Sequence, residues 1–469
     1  MLLRGAVLGL LTLALSAGSG LAQTVEQKIW SLLDDPRPVF ASLPEADFRA
    51  AGNGLTLPDG GRTVTDLAQR APGGAFDPRD LARIPAETLG YKADWFAERY
   101  RRYNLDWDIT GLRLTSRDPE ARNYPTVVII NGGAANFYEF YVDLKNRPGW
   151  AQFLAQKLNV MIVTIPGNFK YGGWAEPVAD PRRQPAYLLD RDLGADENVL
   201  RHVLYTNAVI MQGLKALLTK HTTGDLLIVG HSTSGELSML SYEDPELRAR
   251  LKGRYLGWGS GGAARVEALQ VVREGAGPDP ETWAARAKLP LDVLERRNPA
   301  GYSRGYSGVL NPFYEPGMTM HQVAERWMTE EARRRANFKQ QLQNWEHGAL
   351  LFTKPIVEVK LEETLTRTGN PWGVVAEDVN KDLFVTHYTR MDGFSKMAFM
   401  TARWDTNHWE PEDQMKSPEV FVVKEYRIKN PNVPVRLINW DLKMTHYGHL
   451  ELPKELAGAT YSVVRWLVR

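Results

Sequence analysis

Gly230-His231-Ser232-Thr233-Ser234-Gly235 sets three hydroxyl side chains in a run of small residues. The apolar Leu226-Leu227-Ile228-Val229 precedes it, and Glu236-Leu237-Ser238-Met239-Leu240 follows as a helix-starting pattern. A serine at such a strand–turn–helix junction can act as a nucleophile when a base lies within reach of its proton. The chain has no Cys, which excludes disulfides, thiol nucleophiles and thiolate metal sites and removes the residue that lipoprotein anchoring requires. Nine His are available as bases. Gly301-Tyr302-Ser303-Arg304-Gly305 matches the pattern G-x-S-x-G letter for letter. It follows Arg296-Arg297-Asn298-Pro299-Ala300, however, which cannot be a buried strand, and no helical pattern comes after it. Context therefore selects Ser232 as the nucleophile and leaves Ser303 in a loop.

The segment around Ser232 resembles the nucleophile elbow of the α/β-hydrolase superfamily, in which a serine sits on a sharp turn between strand and helix. Ser234 stands where the second glycine of that motif belongs, and Gly235 comes one place late. The resemblance implies a Ser–acid–His order along the chain. His449 is the base it indicates: it follows the last strand pattern and a loop, and Pro453 opens a closing helix just beyond. His446 is its rival. For the acid that orients the imidazole, Asp405 comes directly off the strand pattern Met397–Ala402, with Asp441 second and Asp392, Glu410 and Glu236 behind. Asn131-Gly132-Gly133-Ala134-Ala135-Asn136 resembles the superfamily's H-G-G-G type of oxyanion loop, with Asn131 in place of His. By position, Gly133 or Ala134 and Thr233 would supply the N–H groups that hold an oxyanion.

Several elements must carry these residues. Thr126–Ile130, Val160–Ile165, Leu226–Val229 and Tyr255–Trp258 are short β-branched or apolar runs of the kind buried on both faces of a parallel sheet. Helical periodicity lies between them, at Trp150–Leu158 and Asp196–Leu218. Ile109–Thr115 alternates as an antiparallel, half-exposed strand would. After Gly262 the rhythm gives way to polar, Arg-rich, mostly helical sequence, notably His321–Leu351. It then resumes with strands at Met397–Ala402 and Pro434–Asn439 and helices at Glu419–Ile428 and Pro453–Val468. The expected fold class is α/β: a doubly wound, mostly parallel sheet with a large helical cap insertion and an N-terminal extension. The corresponding divisions are a signal peptide at 1–22, the extension at 23–100, core at 101–262, cap at 263–394 and core at 395–469.

The first 22 residues carry Arg4, an apolar stretch from Ala6 to Ala17 and small residues before Gln23, the pattern of an export signal. The mature protein is therefore expected in the periplasm or outside the cell. With 57 basic against 56 acidic residues, charge offers no reason for a nucleic-acid or anionic-membrane partner. No cofactor is expected: the Gly-rich turn at Asn131–Asn136 lacks G-x-G-x-x-G, and the chain has no H-E-x-x-H. No metal site is legible, since His446 and His449 have no third ligand at convincing spacing. The expected activity is hydrolysis of a small-molecule or polymer carboxylic ester. Acyl transfer or peptide cleavage would use the same three residues, and a non-catalytic binding protein on the same fold is the alternative of another class.

Overall fold

The computed structural model describes residues 25–34, 40–41, 46–47, 55, 78–102, 105–132, 138–143, 147–164, 207–259, 270–272, 290, 315–319, 322, 356–358, 361–370, 373, 375, 393–402, 430–440 and 448–469. Nine strands form one sheet: β1 (Phe40–Ala41), β2 (Tyr91–Arg102), β3 (Leu105–Ser116), β4 (Thr126–Ile130), β5 (Val160–Thr164), β6 (Leu226–His231), β7 (Arg254–Trp258), β10 (Lys396–Ala402) and β11 (Val435–Trp440). Their order across the sheet is β1-β11-β10-β7-β6-β4-β5-β3-β2. Every neighbouring pair is parallel except β2–β3 and β3–β5. Two further short strands, β8 (Gln270–Val272) and β9 (Ile356–Glu358), pair antiparallel with each other.

The apolar runs are buried on both sides because helices cover both faces. Side chains alternate along a strand, so each run divides between two cores. Val127, Ile129, Val160, Ile162, Leu227 and Val229 lie in one, while Val128, Ile130, Met161, Val163, Leu226 and Ile228 lie in the other. The first face packs against α1 (Val25–Asp34), α2 (Tyr138–Tyr141), α3 (Trp150–Leu154) and α9 (Pro453–Val468). The second packs against α4 (Asn207–His221), α5 (Gly235–Leu240) and α6 (Pro245–Leu251). Among the described residues no helix is long and apolar enough to cross a membrane.

The sheet begins earlier than the alternation at Ile109 suggested. β2 pairs with β3 along twelve residues, and β1 pairs with β11, so segments placed in the N-terminal extension belong to the sheet. β2 is an edge strand that carries Lys92, Asp94 and Glu98 on the face it shares with buried Phe96, and Arg99 on the other. Charges of this kind protect an exposed edge from further pairing, and they hide the apolar period from a search for hydrophobic runs. In the cap region, 263–394, the described residues include the β8–β9 pair and α7 (Leu361–Thr368). The segments expected to be a signal peptide (1–22) and helices at His321–Leu351 (Gln322 apart) and Glu419–Ile428 lie outside the described residues.

Chain order reverses at the centre of the sheet. From β4 the chain moves outward to β5, then returns to place β6 on the other side of β4. In open α/β sheets such a switch point opens a crevice at the carboxyl ends of the flanking strands. Asn131 and Gly132 leave the end of β4 there, and Ser232 leaves the end of β6.

Candidate active site

Ser232 has a backbone φ of +54°. It opens a tight turn, Ser232–Ser234, that joins β6 to α5. A non-glycine residue in the left-handed region carries strain on the order of 1–3 kcal/mol and persists only where its surroundings enforce it. Two glycines show that enforcement. A Cβ at Gly230 would stand 2.1 Å from the carbonyl oxygen of Ser234, so helix and strand meet too closely there for any side chain. A Cβ at Gly132 would stand 2.9 Å from the Cβ of Ser232, which puts the start of the β4 loop against the serine.

Ser234, the departure from G-x-S-x-G, has a structural role. Its buried hydroxyl donates to the carbonyl of Asn131, and the Asn131 side chain donates to the carbonyl of Gly132 at 2.9 Å. The elbow and the loop after β4 are thus tied together at the switch point. Thr233 lies within the turn, following Ser232 as expected. Gly133 and Ala134 lie outside the described residues, as do Asp405, Asp441, His446 and Ser303.

His449 sits in the single turn α8 (Gly448–Glu451), directly before α9, and is fully buried. Its ring centroid lies 4.6 Å from that of His231, the residue before the nucleophile, and 4.8 Å from that of Phe140. Trp258, at the end of β7, points its indole N–H at His449 Nδ1 across 3.5 Å. Indole only donates, so that contact leaves Nε2 directed toward α2. The fold therefore brings His449 to the end of β6 from 218 residues further along the chain. Among the described residues, the Ser232 hydroxyl and His449 are not hydrogen-bonded to each other.

Glu139 is the participant that sequence reasoning missed. It lies on α2 and is buried, with Oε1 at 3.6 Å from His449 Nε2. Tyr141 anchors that helical turn. Its hydroxyl meets that of Tyr91 at 2.8 Å, Tyr91 donates to Gln152 at 2.8 Å, and the Gln152 amide donates to the Tyr141 carbonyl at 2.6 Å. Burial pushes both phenols far above the ordinary tyrosine range. Both phenols stay neutral donors. No motif marks Glu139. The one signal was its place in a short apolar-aromatic run, Phe137-Tyr138-Glu139-Phe140-Tyr141, where a lone acid is out of character with its neighbours.

A buried imidazole facing a buried carboxylate, beside a strained serine at the carboxyl edge of the sheet, can hold and move a proton out of reach of bulk water. Neither a scan against family models nor a search of curated proteins finds a match. Similar solved structures include a bacterial membrane phospholipase A described as a virulence factor, 14% identical over 99% of this chain and 98% of that one, TM-score 0.37. Others are esterase E22, 12% identical over 81% and 100% with TM-score 0.42, and a hydrolase from Pseudomonas aeruginosa PA01, 12% identical over 78% and 97% with TM-score 0.37. At these scores the likeness adds nothing to what strand order and local geometry establish. A mostly parallel sheet with β3 reversed, its switch between β4 and β6, and a strained serine turn leading from β6 into a helix give this chain the α/β-hydrolase fold.

Proposed function

We propose that this protein is an exported serine hydrolase that cleaves a carboxylic ester. Ser232 Oγ attacks the ester carbonyl while His449 takes its proton and passes it to the leaving alkoxide. Asp405 orients the imidazole and stabilises its charged form. The backbone N–H of Thr233 and that of Gly133 or Ala134 receive the oxyanion, and water then releases the acid from the acyl-enzyme. The observation that carries this reading is Ser232 at φ +54° between β6 and α5, backed closely by Gly132. A structural turn has no need of a strained serine at the one crevice the topology opens.

Intact mass after incubation with a fluorophosphonate tests the proposal. One adduct is expected on the wild type and on Ser303→Ala, and none on Ser232→Ala. Turnover of a model ester by Ser232→Ala should fall on the order of 10⁶-fold. An adduct that survives in Ser232→Ala, or a wild type that never labels, overturns the assignment. Adding an alcohol acceptor separates transfer from hydrolysis through the product ratio. The 3.6 Å approach of Glu139 to His449 supports a second reading of the acid. The larger fall in kcat, in Asp405→Asn or in Glu139→Gln, identifies the partner of the base.

A further inference from the structure

Three side chains from separate elements converge behind the serine: Glu139 from α2, His231 from the end of β6 and His449 from α8. Each contributes one potential ligand atom, and these atoms all lie within 4.8 Å of one another. Relative exposures are 4% for Glu139, 2% for His231 and 0% for His449. Glu139 Oε1 has no hydrogen-bond partner among the described residues, and its recorded contact, His449 Nε2 at 3.6 Å, is too long for one. Burying a carboxylate oxygen without a hydrogen bond is costly, and buried charges are normally paired or coordinate a metal.

The chemistry of the trio is selective. Calcium and magnesium take oxygen ligands, whereas two imidazoles and one carboxylate suit zinc and its first-row neighbours. Zinc holds nitrogen and oxygen at about 2.0–2.2 Å, so ligand atoms around it lie roughly 3.3–3.6 Å apart. Glu139 and His449 already stand at that separation. The widest pair must close by about 1 Å, which small side-chain rotations of Glu139 and His231 can supply.

We propose that Glu139, His231 and His449 bind a divalent transition-metal ion of the zinc type, and that occupancy of this site and catalysis at Ser232 exclude each other. The ion binds through a lone pair of His449, and any proton on the coordinating nitrogen leaves to solvent. That lone pair then cannot accept the proton of Ser232. Binding stands on the geometry of the trio alone. The loss of activity rests on His449 being the base in the proposed hydrolase.

Equilibrium dialysis of the chelator-stripped full-length mature protein against Zn²⁺, with metal analysis, tests binding without reference to turnover. One equivalent is expected on the wild type and on Ser232→Ala. Glu139→Gln and His231→Gln should each weaken it at least tenfold, since removing a ligand outweighs the roughly 10–100-fold effect of disturbing its outer shell. Their circular dichroism and melting temperatures, measured without metal, must match the wild type for that comparison. If either variant unfolds, the visible spectrum of the Co²⁺ form of Ser232→Ala decides, by showing or lacking the bands of a site with imidazole ligands. No binding, or binding undiminished in both folded variants, overturns the site. Fluorophosphonate labelling of the wild type should slow at least tenfold with saturating Zn²⁺ and recover with chelator, and labelling at full rate in the zinc-loaded protein overturns the exclusion. A metal-free wild type that does not label refutes the hydrolase instead, while dialysis still decides the metal site.

Discussion

Ser232 occupies a conformation that its own side chain disfavours, and the residues around it supply the constraint. Gly230 lets the elbow close, because any Cβ there meets the Ser234 carbonyl at 2.1 Å. Gly230→Ala should destabilise the protein by about 1–3 kcal/mol, as overpacking does. It should also reduce fluorophosphonate labelling more than stability alone explains; urea unfolding and labelling rate on the same sample check both. Ser234→Gly restores the letters of G-x-S-x-G and yet should be harmful. It removes the buried hydrogen bond to the Asn131 carbonyl, worth about 0.5–1.5 kcal/mol. An unchanged unfolding midpoint in Ser234→Gly would show that the tie between elbow and β4 loop is dispensable.

At the scale of elements, the closing helix positions the base. α9 buries Leu456, Ala457, Thr460, Val463, Val464 and Leu467 against the sheet, and Trp150 of α3 donates its indole N–H to Thr460 at 3.2 Å. α8, with His449, runs directly into α9 at Leu452, so the histidine is as firmly placed as that helix. Leu456→Ala should cost about 2–5 kcal/mol, the range for a fully buried leucine. Activity should fall at temperatures well below the new melting point, because the start of α9 is the part that loosens. Parallel thermal scans of ellipticity and turnover check this; loss of both at one temperature would separate His449 placement from α9.

For the whole molecule, ion pairs join distant parts of the chain. Burial raises the Asp94, Glu98 and Asp244 carboxyls. The hydrogen bonds from Lys92 and Arg113, from Lys220 and His221, and from Lys215 outweigh it and hold all three below the ordinary range. Asp118 is lowered chiefly by the hydrogen bond from Lys157, then by the backbone N–H of Glu120. A carboxylate lowered by folding contributes stability that is fully present above its unfolded pKa, about 4. That contribution is lost as pH falls through the folded value. Unfolding free energy should therefore be flat in these groups near neutrality and decline below about pH 4. Asp118→Asn should lower stability at pH 7, where that contribution is fully present, and differ little from wild type at low pH, which flattens part of the decline; urea titrations at both ends of the range test it. An acid limb identical to wild type would remove Asp118 from the account.

Local pattern was enough for much of this molecule. Each of β4 to β7 has a backbone buried on both faces, and only an unbroken apolar run meets that demand, so composition along the chain revealed them. The serine turn was equally legible, since a close strand–helix crossing tolerates only small residues and leaves a run of them in the chain. β2 was hidden because charges are interspersed among the apolar residues of both its faces. Glu139 was hidden for a different reason. A carboxylate acquires a role from what faces it, and what faces Glu139 is His449, 310 residues away. The trio Glu139, His231 and His449 exists only once β6, α2 and α8 meet at the carboxyl edge of the sheet. The chain by itself determined the strands buried on both faces and the serine that is strained, because backbone burial and steric fit are local. Tertiary structure alone decided which buried charges and imidazoles share a site, because that depends on distances between elements that no spacing along the chain encodes.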